Sequence, residues 1–341
     1  MAGPIPSNTA LFFSDINAGF GTVYDSDPLE GQEFGPFLGE IPVTTEQLVI
    51  VWHNLMPKAR IWYGSRVASE ASLQTVTYAP RPYEITYAID QFIKQDDIHD
   101  VYRRILPDLV RQTRRWQALE TRDMLENAGG YTGAAQNGFD GLTYFNTAHL
   151  IDFYNPGLGT YCNDFTNGGQ TISYAKTIGG TYSILTGGAF GVTAFKTLVE
   201  YMHTIKGEDG ERLGVKATDL MHPPQLIGEV EVVLKNTYFS PPAWGNITSQ
   251  VGAAENAWKR YGVTPRCNEF LNDPQNWYLG DTSRGTFGKP LMFGLREAWT
   301  VVPRTAATDP VVFDMHKELW GGRARGMPFW GFSWLLFRSG P

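Results

Sequence analysis

The segment 96–127 constrains the fold more than any other stretch of this chain. Ile98, Val101, Tyr102, Ile105, Leu106, Leu109, Trp116 and Leu119 recur at three- and four-residue steps, the spacing of one face of an α-helix. Asp96, Asp97 and Asp100 open the segment, where the positive end of a helix dipole favours anions. Gly129-Gly130 closes it, as glycine does just past a helix C-terminus. Pro107 lacks the N–H that an interior helical position donates, so it is expected to kink or split the helix. Arg103, Arg104, Arg111, Arg114, Arg115 and Arg122 share the segment with seven acids. That mixture predicts an ion-paired helix face in preference to a nucleic-acid-binding one.

The flanking sequence calls for sheet as well as helix. Residues 1–40 are rich in Gly, Pro, Asn and Asp and hold no sustained period, which predicts an extended arm. Ala59–Val67 is strand-like. Tyr83, Ile85, Tyr87 and Ile89 alternate with Glu84, Thr86, Ala88 and Asp90, the period of a strand between two environments. Pro80 and Pro82 lack ladder donors and suit an edge strand or a projecting hairpin. A second helix is expected near 191–206, with Val192, Phe195, Leu198, Val199, Met202 and Ile205 apolar and Gly207 ending it. A third is expected after Pro223-Pro224, with Ile227, Val230, Val233 and Leu234 on its core face. Trp330, Phe332, Trp334 and Leu336 alternate and predict a buried closing strand. The fold class expected is α+β.

Composition excludes several classes. Hydrophobic residues make up 42% and charged residues 18%, which is incompatible with a disordered chain. Few charges beside 20 Phe, 16 Tyr and 10 Trp suggest surface buried against partners. A length of 341 residues leaves room for two domains. A net charge of −7 and a pI near 5.4 argue against a generic polyanion binder. Cys162 and Cys267 are too few for a disulfide framework or a four-ligand zinc site, and both are expected to be reduced. The first basic residue is Lys58, so no secretory signal is expected. The longest strongly apolar run, Phe329 to Phe337, is shorter than the roughly 20 residues of a membrane helix.

The search for chemistry returns little. There is no HExxH and no nucleophile elbow. Gly285-Thr286-Phe287-Gly288-Lys289 is followed by Pro290, not by Ser or Thr, so it is not a phosphate-binding loop. Gly187-Gly188-Ala189-Phe190-Gly191 reads as a turn before a helix. His53, His99, His149, His203, His222 and His316 form no pair at metal-ligand spacing. Asp140-Gly141 with His149 invites a metal or acid–base reading, but a β-turn and a capping or core histidine explain it more simply. No catalytic, cofactor-binding or metal-binding residues are assigned.

Several stretches, in order, resemble a known family. They are Ile61-Trp62-Tyr63-Gly64-Ser65-Arg66, Tyr83 to Asp90 followed by Asp96-Asp97-Ile98, Asp140 to His149, Leu220-Met221-His222-Pro223-Pro224-Gln225-Leu226, and Trp277-Tyr278-Leu279-Gly280-Asp281. Together they are similar to the Mu-like major head subunits of tailed bacteriophages, within the broader HK97-like capsid fold. The resemblance implies an N-terminal arm at 1–50, an extended loop at 51–90 and a spine helix at 91–130. It implies a peripheral domain at 131–210 and 303–341, and an axial domain at 211–302. It further implies a non-enzymatic major capsid protein, without cofactors, whose copies form hexamers and pentamers of an icosahedral head around double-stranded DNA. The implied partners are itself, portal and scaffold proteins, a decoration protein and DNA held without sequence preference, but no membrane. The implied location is the virion capsid, assembled in the host bacterial cytoplasm. Two other readings compete with it: a cellular nanocompartment shell of the same fold, and a two-domain cytoplasmic hydrolase.

Charge is split along the chain. Residues 1–57 hold seven acids and no lysine or arginine, whereas 58–82 hold Lys58, Arg60, Arg66 and Arg81 against Glu70 alone. Glu30, Glu33 and Glu40 are therefore expected to meet Lys58, Arg60, Arg66 or Arg81, within or between subunits. The competing expectation is an arm held by Phe12, Phe13, Phe20 and Phe34, with its acids solvated.

Overall fold

The computed structural model describes residues 34–53, 73–92, 101–126, 137–152, 156–166, 170–176, 180–186, 190–236, 238–239, 254–256, 259, 261–306 and 308–341. In chain order the elements begin with strands β1 (Leu38–Pro42), β2 (Leu48–His53), β3 (Leu73–Tyr78) and β4 (Arg81–Asp90), followed by helix α1 (Val101–Glu126). Next come β5 (His149–Leu150), β6 (Thr160–Tyr161), β7 (Asp164–Phe165), β8 (Gln170–Lys176), β9 (Gly180–Thr186) and α2 (Val192–Met202). Then follow β10 (Asp219–His222), α3 (Ile227–Leu234), β11 (Tyr238–Phe239), β12 (Ala254–Glu255), β13 (Thr264–Cys267) and β14 (Trp277–Gly280). The chain ends with β15 (Leu291–Arg304), α4 (Pro310–Met315), β16 (Lys317–Trp330) and β17 (Leu336–Ser339).

Two sheets organise these elements. The first has the order β1-β15-β16-β4. Its long antiparallel pair runs from Leu291↔Trp330 to Arg304↔Leu319, with irregularities between Leu295 and Thr300. β4 pairs with β16 along its whole length and forms the edge expected from its prolines. The second sheet has the order β13-β10-β14-β17-β7. Its strands β10 and β14 are buried at every position, the signature of a sheet covered on both faces. Side chains on a strand alternate faces, and here each face enters a different core. Leu220, Trp277, Leu279 and Phe337 pack with Phe195, Leu198 and Met202 of α2 and with Val230 and Val233 of α3. Met221, Tyr278 and Leu336 pack with Phe37, Tyr144, Phe329, Trp330 and the C-terminal turns of α1.

α1 lies against the first sheet through Trp116, which meets Phe293 and Trp299 edge-on at 5.1 and 5.7 Å. Gly326 permits this approach, because a Cβ there would sit 2.9 Å from the Trp116 ring and 2.8 Å from that of Phe293. Of the kink or split expected at Pro107, the split does not occur: the helix continues through it without a break. The lost N–H bond affects one turn, while Trp116, Ala118, Met124 and Leu125 bury the other half of the helix and tertiary packing outweighs the local preference. Residues 96–100 and Gly129-Gly130 lie outside the described residues.

The expected closing strand over 330–336 is also corrected. β16 ends at Trp330, a 3-10 turn covers Ser333–Leu335, and β17 starts at Leu336. The residues between the aromatics, Gly331, Ser333 and Leu335, are as buried as Trp330 and Leu336, so no polar face existed to hold a period of two. At Gly331 a Cβ would lie 2.0 Å from the Lys289 carbonyl oxygen, so the turn is packed directly on the chain entering β15. α2 ends at Met202, and Ile205 is buried in the turn beyond it. α3 buries Val230, Val233 and Leu234, but Ile227 is exposed because it is the first helical residue, past the edge of the core.

The two cysteines differ in environment. Cys162 is buried, its thiol donates to the Asp164 carbonyl at 3.0 Å, and burial pushes its pKa up to about 12. Cys267 is half-buried on the edge strand β13. A thiolate is the reactive form, so an alkylating reagent at neutral pH is expected to modify Cys267 and leave Cys162 intact until the subunit unfolds. Peptide mass spectrometry checks this. Modification of both cysteines at equal rates in the native subunit would contradict it.

Candidate assembly surface

The motif from Asp140 to His149 is an internal brace. Gly141 takes a positive φ of 77°, which closes a turn in which the Leu142 N–H donates to Asp140 Oδ1 at 3.2 Å. The turn aims Asp140 at His149, whose side chain is fully buried. His149 Nδ1 bonds Asp140 Oδ2, and Nε2 donates to the Tyr144 carbonyl at 2.9 Å. The ring stacks on Tyr161 with centroids 5.1 Å apart. Asn163, also buried, donates to the carbonyls of Tyr144 and Ser333 at 2.7 and 3.1 Å and accepts from the Asn146 N–H at 2.8 Å. Tyr144 OH reaches the carbonyls of Pro290 and Phe332 at 3.2 and 3.0 Å. The network thus ties Tyr144 and Asn163 to Phe332 and Ser333, in the turn between β16 and β17, and to Pro290 just before β15. Asp140-Gly141 is a turn and His149 a hydrogen-bonded core histidine, the simpler of the two expectations. Among the described residues, no three His, Cys, Asp or Glu side chains converge as a metal site, and no helix is long and apolar enough to cross a membrane.

The expected contact residues fall mostly elsewhere. Glu30, Glu33, Lys58, Arg60 and Arg66 lie outside the described residues, as do Phe12, Phe13 and Phe20. Phe34 is buried in the subunit's own core with Phe37 and Ile41. Glu40 is exposed on β1, at register with Phe293, and accepts from Gln117 Nε2 at 3.5 Å. Arg81 starts β4, at register with Gly326. β1 and β4 are the two outer strands of one sheet, separated by three strand spacings or roughly 14 Å. The fold therefore keeps Glu40 and Arg81 apart within one chain.

What the described surface does offer is apolar side chains in two places. The first is the hairpin of β2 and β3. Leu48, Ile50 and Val76 face the core, while Val49 and Val51 are half-exposed on the other face. Their cross-strand neighbours are Thr77 and Thr75, which are also exposed. That outer face is β-branched and uncharged, whereas a solvated hairpin face is ordinarily polar. The uninterrupted run Leu48-Val49-Ile50-Val51-Trp52 was the sequence signal for it, since an apolar run without alternation marks a strand with two apolar faces.

The second place is the far end of the long sheet. α4 connects β15 to β16 there, with Phe313 73% and Met315 62% exposed. Phe92, just past β4, is 60% exposed, and its ring lies 5.4 Å from that of His316. Val302, near the end of β15, is exposed as well. Asp309 caps α4 by accepting from the Val311 N–H at 3.0 Å. Its carboxylate also holds Arg304 through two bonds of 2.8 Å. The Arg304 guanidinium, together with the bonds from the helix N-terminus, keeps the Asp309 carboxyl below its ordinary pKa. The Gln91 N–H donates to the His316 carbonyl at 2.9 Å and closes the end of β4 against β16. No periodicity marked this end, because its apolar residues come from three separate elements.

Comparison with known proteins follows from this architecture. A family model described as "Mu-like prophage major head subunit gpT" matches residues 16–174 and 259–340. No curated protein matches the chain. Among solved structures, the procapsid of bacteriophage JBD30 is 18% identical over 99% of this chain and 76% of its own, with a TM-score of 0.50. The JBD30 capsid is 14% identical over 80% of this chain and 100% of its own, with a TM-score of 0.54. A structure from Microbacterium phage Oxtober96 is 10% identical over 93% of each chain, with a TM-score of 0.55. At these identities the likeness concerns the fold, which is the HK97-like α+β capsid fold.

Proposed function

The chain belongs to the Mu-like prophage major head subunit family and is a major capsid protein of a tailed phage, and from that premise we propose how it serves the shell. Copies associate as hexamers and pentamers of an icosahedral head around double-stranded DNA, which the acidic subunit holds weakly and without sequence preference. The role is assembly without enzymatic turnover. Portal, scaffold and decoration proteins are the partners of such a head, and the host bacterial cytoplasm is where it assembles. Residues 1–50 serve as the arm, 51–90 as the extended loop and 91–130 as the spine. Residues 131–210 with 303–341 serve as the peripheral domain, and 211–302 as the axial domain. Neither the nanocompartment nor the hydrolase reading is favoured.

The observation that carries this reading beyond the family is the outer face of the β2–β3 hairpin. Val49 and Val51 are half-exposed although the opposite face of the same strand is already packed on the core. Burial stabilises by roughly 25 cal/mol per Å² of apolar surface, and within one subunit this face forgoes that gain. In a shell the neighbouring subunits supply the cover. Between neighbours, Glu30, Glu33 and Glu40 of the arm then meet Lys58, Arg60, Arg66 or Arg81. An exposed pair contributes only about 0–1 kcal/mol, so the effect is one of register summed over many copies, and it weakens as salt rises.

Electron microscopy of the purified protein tests the reading: closed shells are expected, and small particles under every condition would overturn it. The charge contact has its own test. Arg60→Glu with Arg66→Glu is expected to lower shell yield and salt tolerance, and Glu30→Lys with Glu33→Lys to restore them. Shells indifferent to the first pair would leave aromatic packing as the better account of the arm.

A further inference from the structure

We propose that the cations Lys206, Arg212, Lys216 and Arg284 form a seat for the phosphodiester backbone of double-stranded DNA. The proposal rests on the reading that the shell encloses DNA, and adds to it the residues that hold the polymer.

The fold joins these residues from two segments. Past α2 the chain makes a tight hairpin in which Lys206 and Arg212 form a bridge. It is flanked by bonds from the Leu213 N–H to the Ile205 carbonyl at 2.9 Å and from the Gly207 N–H to the Glu211 carbonyl at 2.8 Å. A pair flanked in this way is the close kind, with Cα atoms roughly 4.5 Å apart and both side chains leaving on one face. Ile205 and Leu213 pack on the core from the other face, and Lys206 and Arg212 are exposed. One residue on, the Leu213 carbonyl accepts from Arg284 Nη2 at 3.3 Å, which brings the loop between β14 and β15 to the hairpin. Lys216, also exposed, donates its N–H to Asp281 Oδ2 at 3.1 Å, and the same oxygen lies 3.8 Å from Arg284 Nε.

The charges point outside the subunit. Like charges directly opposite on a hairpin are destabilising, and Lys206, Arg212 and Lys216 make no ion pair among the described residues. The neighbouring acids do not neutralise them. The Asp209 carboxylate accepts from the Glu211 N–H at 3.0 Å. Glu211 leaves on the face opposite Arg212, because side chains alternate, and Glu208 is half-buried at the tip. The acid nearest Arg284 is Asp281, whose side chain is only 2% exposed. Its carboxylate also accepts from the N–H and hydroxyl of Ser283 at 3.0 and 2.6 Å, so it anchors the loop. Lys196 and Lys235, by contrast, each face a glutamate one helical turn away, Glu200 and Glu231.

The chemistry favours a phosphate chain over a protein. A protein interface has an apolar core, whereas the exposed positions between these cations include Gly210, Gly214, Ser283 and Gly285. In the loop 281–290 only Phe287 is large, apolar and exposed, too little for such a core. At Gly285 φ is −62° and a Cβ would meet nothing within 4 Å. Neither backbone nor packing calls for glycine there, and the bare chain leaves room for close approach of a ligand. Cations on phosphates fix position without reading sequence.

Anisotropy of a short labelled DNA duplex with the full-length, unassembled subunit tests the seat. The parent is expected to bind weakly and equally to unrelated sequences. Its log affinity is expected to fall against log salt with a slope of about −3 to −4 between about 50 and 200 mM, as four cations displace counterions. Lys206→Ala with Arg212→Ala is expected to flatten the slope by about 2 and to weaken binding at least about tenfold at about 50 mM salt. Lys216→Ala, on the adjoining segment, is expected to flatten it by about 1. Lys196→Ala with Lys235→Ala changes the net charge as much as the first pair and is expected to leave the slope nearly unchanged. Circular dichroism of every variant is expected to match the parent. A parent that binds no duplex at low salt, or a Lys206→Ala/Arg212→Ala variant whose slope equals that of the lysine control, overturns the seat. Polyglutamate that competes better than unlabelled duplex of equal charge also overturns it, and names an acidic protein segment as the occupant. Electron microscopy decides the shell reading separately, so the seat can fail while that reading stands, and the reverse.

Discussion

Replacing His149 with alanine is expected to destabilise the subunit by about 3–5 kcal/mol, the cost of stripping one partner from a buried ion pair. The Asp140 carboxyl is buried with the imidazole it faces, so removing the ring leaves that buried polar group with neither water nor its imidazole partner. The same substitution frees the Tyr144 carbonyl of its bond from Nε2 and removes the surface on which Tyr161 stacks. Denaturant unfolding of the unassembled subunit measures the effect. A double-mutant cycle with Asp140→Ala isolates the pair: the double variant is expected to lose much less than the two single losses added together. A His149→Ala subunit within about 1 kcal/mol of the parent, where surface substitutions fall, would show that the brace does not hold the fold. Because the site is enclosed, the expected defect is in folding, and shells that form from the variant are expected to be normal in shape.

Trp330→Ala is expected to cost about 3–5 kcal/mol, as for other aromatic-to-alanine changes in a packed core. Trp330 lies at the end of β16, stacks on Tyr144 at 4.0 Å with the planes 11° apart, and meets the edge of Phe145 at 5.6 Å. Its loss opens a cavity where the two sheets share a core. Among the described residues its indole N–H meets no hydrogen-bond partner, so Trp330→Phe removes mainly apolar volume and is expected to cost much less than the alanine change. Phe287→Ala, at a 72% exposed position, serves as the control and is expected to change unfolding little. Equal losses for Trp330→Ala and Phe287→Ala would contradict the placement of the core.

Much of the architecture was legible before any coordinates. The alternation from Tyr83 to Asp90 and the prolines beside it placed β4 on a sheet edge. The steps of three and four placed α1, α2 and α3, with corrections at the ends of α2 and α3 and at Pro107, where α1 continues unsplit. The candidate surface was far less legible. Charge counting singled out Glu40 and Arg81, but two intervening strands hold them on opposite edges of one sheet. The tip at Phe92, Phe313 and Met315 gave no pattern at all.

The physical reason is the range of the forces involved. Helix and edge-strand signals are local, because they arise from side chains a few residues apart and from the missing N–H of proline. The sequence by itself therefore determined the elements and, through the ordered motifs from Ile61 to Asp281, the family. Only the tertiary structure decided what long-range packing controls. It carried α1 through Pro107, broke the aromatic run at Gly331, and sent alternate residues of β10, β14 and β17 into two different cores. It also brought Phe92 to the same exposed end of a sheet as Phe313 and Met315 of α4, where strand register, not sequence distance, sets which residues are neighbours.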